Sequence, residues 1–309
     1  MPVVAMVVGV KPATLILIAL GGLMTGCATS NQHVSSSSLP PLPAGQQWKL
    51  MWSDEFNGTQ LDMAKWEILG DWKRRDGYWT KSESYLDGHG RLVLRTRQDG
   101  DKFVCGAVRT KDRFEHRYGY WVARCKLPTQ SGHWPAFWIM SDGVFQVGNE
   151  GRDGTEIDIA EFPKRDGTYE INLHWDGYGR DHKSKGTKLT ESSITNGFHT
   201  YAVQWTPTNY TFYVDEKAVW QTTVGGVSQA PEYIKLSEEI GAWGGKIREA
   251  KLPDYFEVDY VRVYDAVIKS ASASSQGLFP DRHNAFHLVD QPLTRSERLA
   301  PMRRDDFHP

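Results

Sequence analysis

Glu156-Ile157-Asp158-Ile159-Ala160-Glu161 interleaves three acids with apolar residues. Side chains of a strand repeat every second residue, so Glu156 and Asp158 share one face while Ile157 and Ile159 enter a core on the other. Strict alternation would turn Glu161 inward. One extra residue near Ile159 or Ala160, a β-bulge, returns it to the face of the other two acids, and bulges commonly re-aim side chains beside active sites. The stretch thus predicts a strand with one buried face and a specific irregularity within it.

Three like charges on one face repel, which costs stability unless chemistry requires them. Two plainer readings compete. One is solubilising charge on an edge strand, against which the interleaved isoleucines indicate a buried face. The other is Ca²⁺ binding, whose usual loop supplies glycine and carbonyl ligands that a regular strand lacks. Paired carboxylates suit glycoside hydrolysis better. With a bulged spacing of four residues at ~3.3 Å each, the Glu156 and Glu161 backbones lie about 13 Å apart, and an inward lean of about 4 Å per side chain leaves roughly 5 Å between carboxyls. That gap belongs to the retaining mechanism, in which one acid attacks the anomeric carbon while the other first donates and later removes a proton. Ionised Glu156 and Asp158 give Glu161 a physical reason to keep its proton. This chemistry needs no metal or cofactor.

Outward from this stretch, short β-branched or aromatic runs separated by Gly, Asp and Asn turns continue in both directions. They are Leu92 to Thr96, Phe103 to Thr110, Gly119 to Leu127, Ala136 to Met140, Thr168 to Leu173, Thr200 to Trp205, Tyr210 to Val214 and Phe256 to Tyr264. Such spacing predicts an all-β sandwich. The segment Pro231 to Ile240 reads equally as a short helix or another strand. A hairpin turning near Glu115 would set Cys105 opposite Cys125, either bridged or as two small buried thiols.

The acidic stretch resembles the active-site strand of glycoside hydrolase family 16 in its longer, bulged ExDxxE form. Around it, Gly132-His133-Trp134-Pro135-Ala136-Phe137-Trp138-Ile139-Met140 is similar to the family's WPAxW segment. Trp52-Ser53-Asp54-Glu55-Phe56, Arg109-Thr110 to Tyr118-Gly119, Phe198-His199-Thr200-Tyr201 and Val258-Asp259-Tyr260-Val261-Arg262-Val263-Tyr264 follow the family's order. The resemblance implies a concanavalin A-like jelly-roll sandwich with a concave cleft. It makes Glu156 the nucleophile, Asp158 its assistant and Glu161 the acid/base. Expected sugar contacts are Arg109, Asn172, Trp175 and His174, for which a packed histidine reads equally well; of Trp134 and Trp138, four residues apart, one is expected exposed and stacking on a sugar, Trp134, and Trp138 buried. Trp243 sits among Gly241, Gly244 and Gly245, a setting that suits a sugar platform. Asp259 resembles a position that in some relatives helps bind a structural calcium ion; an ordinary turn acid reads equally well. The bulged motif occurs in β-1,3-glucanases and also in agar-, porphyran- and carrageenan-cleaving enzymes. The expected substrate is a β-1,3-glucan cut internally. A galactan comes next, since Lys73-Arg74-Arg75 would suit sulfate if it lined the cleft. A non-catalytic glycan-binding protein on the same fold is the reading from another class.

The chain has 309 residues and a formal charge of -2, which excludes a global field drawing it to nucleic acid. Twelve Trp and thirteen Tyr suit either stacking surfaces for sugar rings or an aromatic core. At the N-terminus, Lys11, the apolar run Leu15 to Leu20 and Leu23-Met24-Thr25-Gly26-Cys27 have the layout of a secretory signal ending in a lipoprotein cysteine. The expected organisation is a signal over 1–27, a Ser/Pro-rich tether over 28–47, a catalytic domain over 48–265 and a disordered tail over 266–309. The protein is then exported and anchored by lipid at Cys27 in a bacterial envelope, or else secreted, and acts as a monomer whose partner is its polysaccharide.

Overall fold

The computed structural model describes residues 39–269; the signal, Cys27, most of the tether and the tail beyond 269 lie outside the described residues. Two sheets pack face to face. The smaller has seven strands in the order Lys183–Thr190, Thr168–Trp175, Glu156–Glu161, His133–Met140, Tyr233–Ile240, Ala107–Arg109 and Glu67–Ile68. The other has eleven, built about Gly119–Lys126 and the long Asp254–Ile268. Period-two alternation assigns the faces: Phe137, Ile139, Ile157, Leu173 and Leu236 are fully buried between the sheets. Each such side chain contributes about 1.5–3 kcal/mol by leaving water.

On the opposite face, cross-strand pairing lines up one lateral row over all seven strands. It runs Gly186, Asn172, Asp158, Trp138, Lys235, Arg109 and Glu67, each residue paired with the next. This row is the floor of the cleft. A side chain on Gly186 would place Cβ 2.0 Å from Asn172 Oδ1, so glycine there leaves Asn172 the room to lean along the row.

Some open readings are decided and some expectations are corrected. Pro231 to Ile240 contains a strand, Tyr233–Ile240, and no helix. The hairpin near Glu115 does not form: Phe103 to Thr110 divides at Gly106 into Lys102–Cys105 in one sheet and Ala107–Arg109 in the other. A Cβ at Gly106 would lie 2.3 Å from the Glu83 carbonyl oxygen, so the crossing requires glycine. Two strands separate Lys102–Cys105 from Gly119–Lys126, and Cys105 and Cys125 are free, buried thiols. The folded unit also reaches beyond the expected bounds, because Gln46 pairs with Ile268 and Trp48 Nε1 donates to the Pro40 carbonyl at 2.8 Å. Seven of the twelve tryptophans are buried and only Trp72 and Trp243 are exposed, so the aromatic-core reading prevails. Lys183–Thr190 and Lys217–Thr222 were not anticipated as strands; both are edge strands, where lysine and polar residues blunt unpaired backbone and hide the β pattern.

Candidate active site

The predicted bulge is present. Asp158 pairs with Asn172 and Glu161 with Glu170, so three steps along the acidic strand answer two on its neighbour. On the other side Asp158 faces Trp138 while Ala160 faces Phe137, placing the extra residue at Ile159 and Ala160, which are buried. Glu161 returns to the cleft face, and Glu156, Asp158 and Glu161 all line one cleft of about 1500 Å³. That volume exceeds a typical small-ligand pocket and suits several sugar residues.

Burial and mutual repulsion set the acids' proton affinities. Asp158 is 3% exposed, and burial followed by the Glu156 charge pushes its carboxyl up to about 6. Glu161 rises well above the usual carboxylate range through burial and then the charge of Asp158, against an opposing hydrogen bond of 3.0 Å from Asn172 Nδ2. His174 Nε2 lies 3.2 Å from Asp158 Oδ2. Burial opposes a charge on His174, yet the contact with Asp158 and the charges of Asp158 and Glu156 together lift it to about 9. Its Nδ1 is 2.9 Å from His182 Nε2, with the rings stacked at 5.1 Å. Burial and the neighbouring His174 lower the proton affinity of His182. A protonated His174 therefore forms an ion pair with Asp158 on one side and donates to neutral His182 on the other. The Tyr178 hydroxyl donates to Glu156 Oε2, completing a polar brace from the loop after Thr168–Trp175. Ligand atoms of Glu156, Asp158 and His174 lie within 4.8 Å of one another, and a metal ion held there would have to displace the His174 proton.

The proposed sugar contacts divide. Asn172 and His174 face the acids. Trp138 lies in the floor with Nε1 donating to Ser237 Oγ at 3.0 Å. Trp134, expected to be exposed, is 4% exposed; Trp243 packs edge-on against it at 5.2 Å and Arg75 covers its ring. Trp243 itself is 42% exposed and keeps an open face. Trp175 is withdrawn from the site: alternation along its strand turns it into the core with Ile171 and Leu173, where Gly225 closes on its ring. Arg109 lines the cleft while its Nε donates to Glu67 at 2.7 Å. At Asp259, Oδ2 accepts from Arg124 Nη1 at 2.6 Å.

Sequence reasoning passed over Tyr178, His182 and the cleft face of Tyr233–Ile240. The signal for the last was legible: Lys235, Ser237 and Glu239 alternate with Ile234, Leu236 and Glu238 at period two. Glu239 is held by Arg74 at 2.9 Å and Arg75 at 3.2 Å, so the basic segment does line the cleft. Lys235 is 8% exposed, and its Nζ sits 3.6 Å from the centre of the Trp138 ring. Removing an ammonium from water costs several kcal/mol, and the ring returns about 0.5–2 kcal/mol. Burial, then the charge of Arg74, accordingly lowers its proton affinity to about 7.

A two-sheet sandwich whose concave face carries clustered carboxylates over a long groove belongs to the class of jelly rolls that handle glycans. The model for glycosyl hydrolases family 16 matches residues 72–262, and the chain belongs to that family. It is 29% identical to glucan endo-1,3-beta-glucosidase A1 of Niallia circulans, over 76% of this chain and 40% of that protein. It is also 29% identical to the keratan-sulfate endo-1,4-beta-galactosidase of Sphingobacterium multivorum, over 72% of this chain and 56% of the relative. The chain thus spans about half the length of these two relatives. The crystal structure of the laminarinase from Flavobacterium sp. UMI-01 superposes with a TM-score of 0.59 at 28% identity, over 70% of this chain and all of the other.

Proposed function

We propose that this protein is a retaining, endo-acting glycoside hydrolase that cleaves internal β-linkages of a polysaccharide, with a β-1,3-glucan as its backbone. The observation that carries the reading is the bulge, which turns Glu161 onto the cleft face beside Glu156 and Asp158. In the first step a Glu156 oxygen bonds to the anomeric carbon as the glycosidic C–O bond breaks, and Glu161 gives its proton to the departing oxygen. Water then attacks the same carbon, Glu161 takes a proton from it, and Glu156 leaves. Asp158, held by His174, orients Glu156 and by its charge keeps Glu161 protonated until the first step. The β-1,3-glucan backbone rests on the glucanase and laminarinase relatives. A galactan is the second reading, favoured by Arg74 and Arg75 in the cleft and by the galactosidase relative.

The test is Glu156→Gln. Reducing ends released from laminarin, lichenan, agarose, porphyran and carrageenan should fall at least ~10³-fold while retention on the polymer persists. Persisting cleavage would point to a different nucleophile, and retention on the polymer without cleavage by the wild type would leave a glycan-binding role. We further propose export and lipid anchoring at Cys27, read from Leu23-Met24-Thr25-Gly26-Cys27. Incorporation of a labelled fatty acid that is lost in Cys27→Ser would support it, and unlabelled wild type would reject it.

A further inference from the structure

Lys235 carries an amine that nothing in the catalytic scheme uses. Its amine contacts the Trp138 ring, the Trp79 ring at 5.6 Å and Met140 Sδ at 3.9 Å, and among the described residues no carboxylate pairs with it. Glu156 acts on it by charge without pairing with it, Glu239 is shared by Arg74 and Arg75, and Glu67 is taken by Arg109. Around this stretch of floor four cationic groups therefore meet two carboxylates, the reverse of the acid-rich end that holds Glu156, Asp158 and Glu161. Lys235 also lies in the lateral row two strands from Asp158, which puts its backbone ~10 Å from that acid and outside the bond-breaking point. A buried amine on an open floor, facing an aromatic ring and lacking an anion, is arranged for an anion delivered by what binds there.

We infer that Lys235 is a specificity residue for an acidic glycan, pairing with a sulfate ester or carboxylate on a sugar laid across Trp138 beside the cleavage point. The inference rests on the hydrolase reading of the cleft but not on the identity of the backbone. Ser237, next to it on the same face and hydrogen-bonded to Trp138, has a hydroxyl proton to offer the same anion. An incoming anion restores the counter-charge that burial denies the ammonium, so a neutral polymer leaves Lys235 uncompensated and an acidic one does not.

The experiment compares polymer pairs that differ only in charge: laminarin with sulfated laminarin, laminarin with its C6-oxidised form, and agarose with porphyran. Wild-type protein, Lys235→Met and Lys235→Arg are assayed for reducing ends on each. Wild type should favour the acidic member of at least one pair by tenfold or more in kcat/KM, Lys235→Met should lose that ratio and Lys235→Arg should retain it. A preference confined to the oxidised pair assigns a carboxylate, and one confined to the sulfated pairs assigns a sulfate. Equal rates on both members for wild type, or an unchanged ratio in Lys235→Met, overturn the inference. If no polymer is cleaved the hydrolase reading has failed, and retardation of the same proteins in gels containing each polymer then reads the same ratio as binding. Thermal melting of Lys235→Met at or above the wild-type temperature shows that the variant is folded.

Discussion

Two histidine–carboxylate clusters, one buried and one half-buried, occupy opposite faces of the same sheet. On the core face, His133 Nδ1 meets Glu238 Oε2 at 2.7 Å and Nε2 lies 3.4 Å from Asp254 Oδ2. On the cleft face, His174 meets Asp158 at 3.2 Å, with Glu156 and Glu161 beside them. The inner cluster is balanced. Burial raises the proton affinity of Glu238 although His133 and the nearby Arg165 oppose the rise, and Asp254 is held below the usual carboxylate range despite its burial by His133 and backbone amides. The outer cluster sets one imidazolium against three carboxylates, and both Asp158 and Glu161 are pushed upward. A balanced buried cluster holds strands together, whereas a surplus of acid keeps a proton available at neutral pH. Only the second serves general acid catalysis.

That contrast can be broken by removing one member of each cluster. Glu161→Gln should lower turnover about 10³-fold with little change in melting temperature. His133→Gln should do the opposite. Leaving Glu238 buried without its partner costs about 3–5 kcal/mol, which for a domain of this size lowers the melting temperature by roughly 10 °C. The folded fraction should keep its activity per molecule, and a loss of turnover matching that of Glu161→Gln would make the two clusters one system.

A third buried charge sharpens the comparison. The proton affinity of Lys235 is lowered from 10.5 to about 7, so its stabilising contribution is present above pH 10.5 and is lost as pH falls through 7. Lys235→Met should therefore melt several degrees higher than wild type at pH 6, with the gain shrinking toward pH 10 in scanning calorimetry. A lower melting temperature at pH 6 would mean that the Trp138 contact outweighs the cost of burial. The smallest effect concerns the pH profile. Because the charge of Asp158 helps raise Glu161, Asp158→Asn should move the alkaline limb of kcat/KM to lower pH by about one unit, beyond its loss of rate. An unmoved limb would assign the proton affinity of Glu161 to burial and the charges of Glu156 and Glu170.

Local patterns carried much of the architecture. Interleaved acids and isoleucines require a strand with two chemically different faces, and the mismatch between period two and the position of Glu161 requires the bulge. Short aromatic and β-branched runs with turn residues between them required a sandwich. The edge strands were not legible because lysine protects an edge by abolishing the very pattern that marks a strand.

Residue type and spacing alone determined which carboxylates share a face, since that depends only on neighbours along one chain. Which tryptophans are walls and which are surfaces, which lysine lacks an anion, and which histidine belongs to the core were decided by tertiary structure. Burial and charge compensation are sums over strands far apart in sequence: Glu238 meets His133, and Lys235 meets Trp138, only because distant segments become neighbours in one sheet.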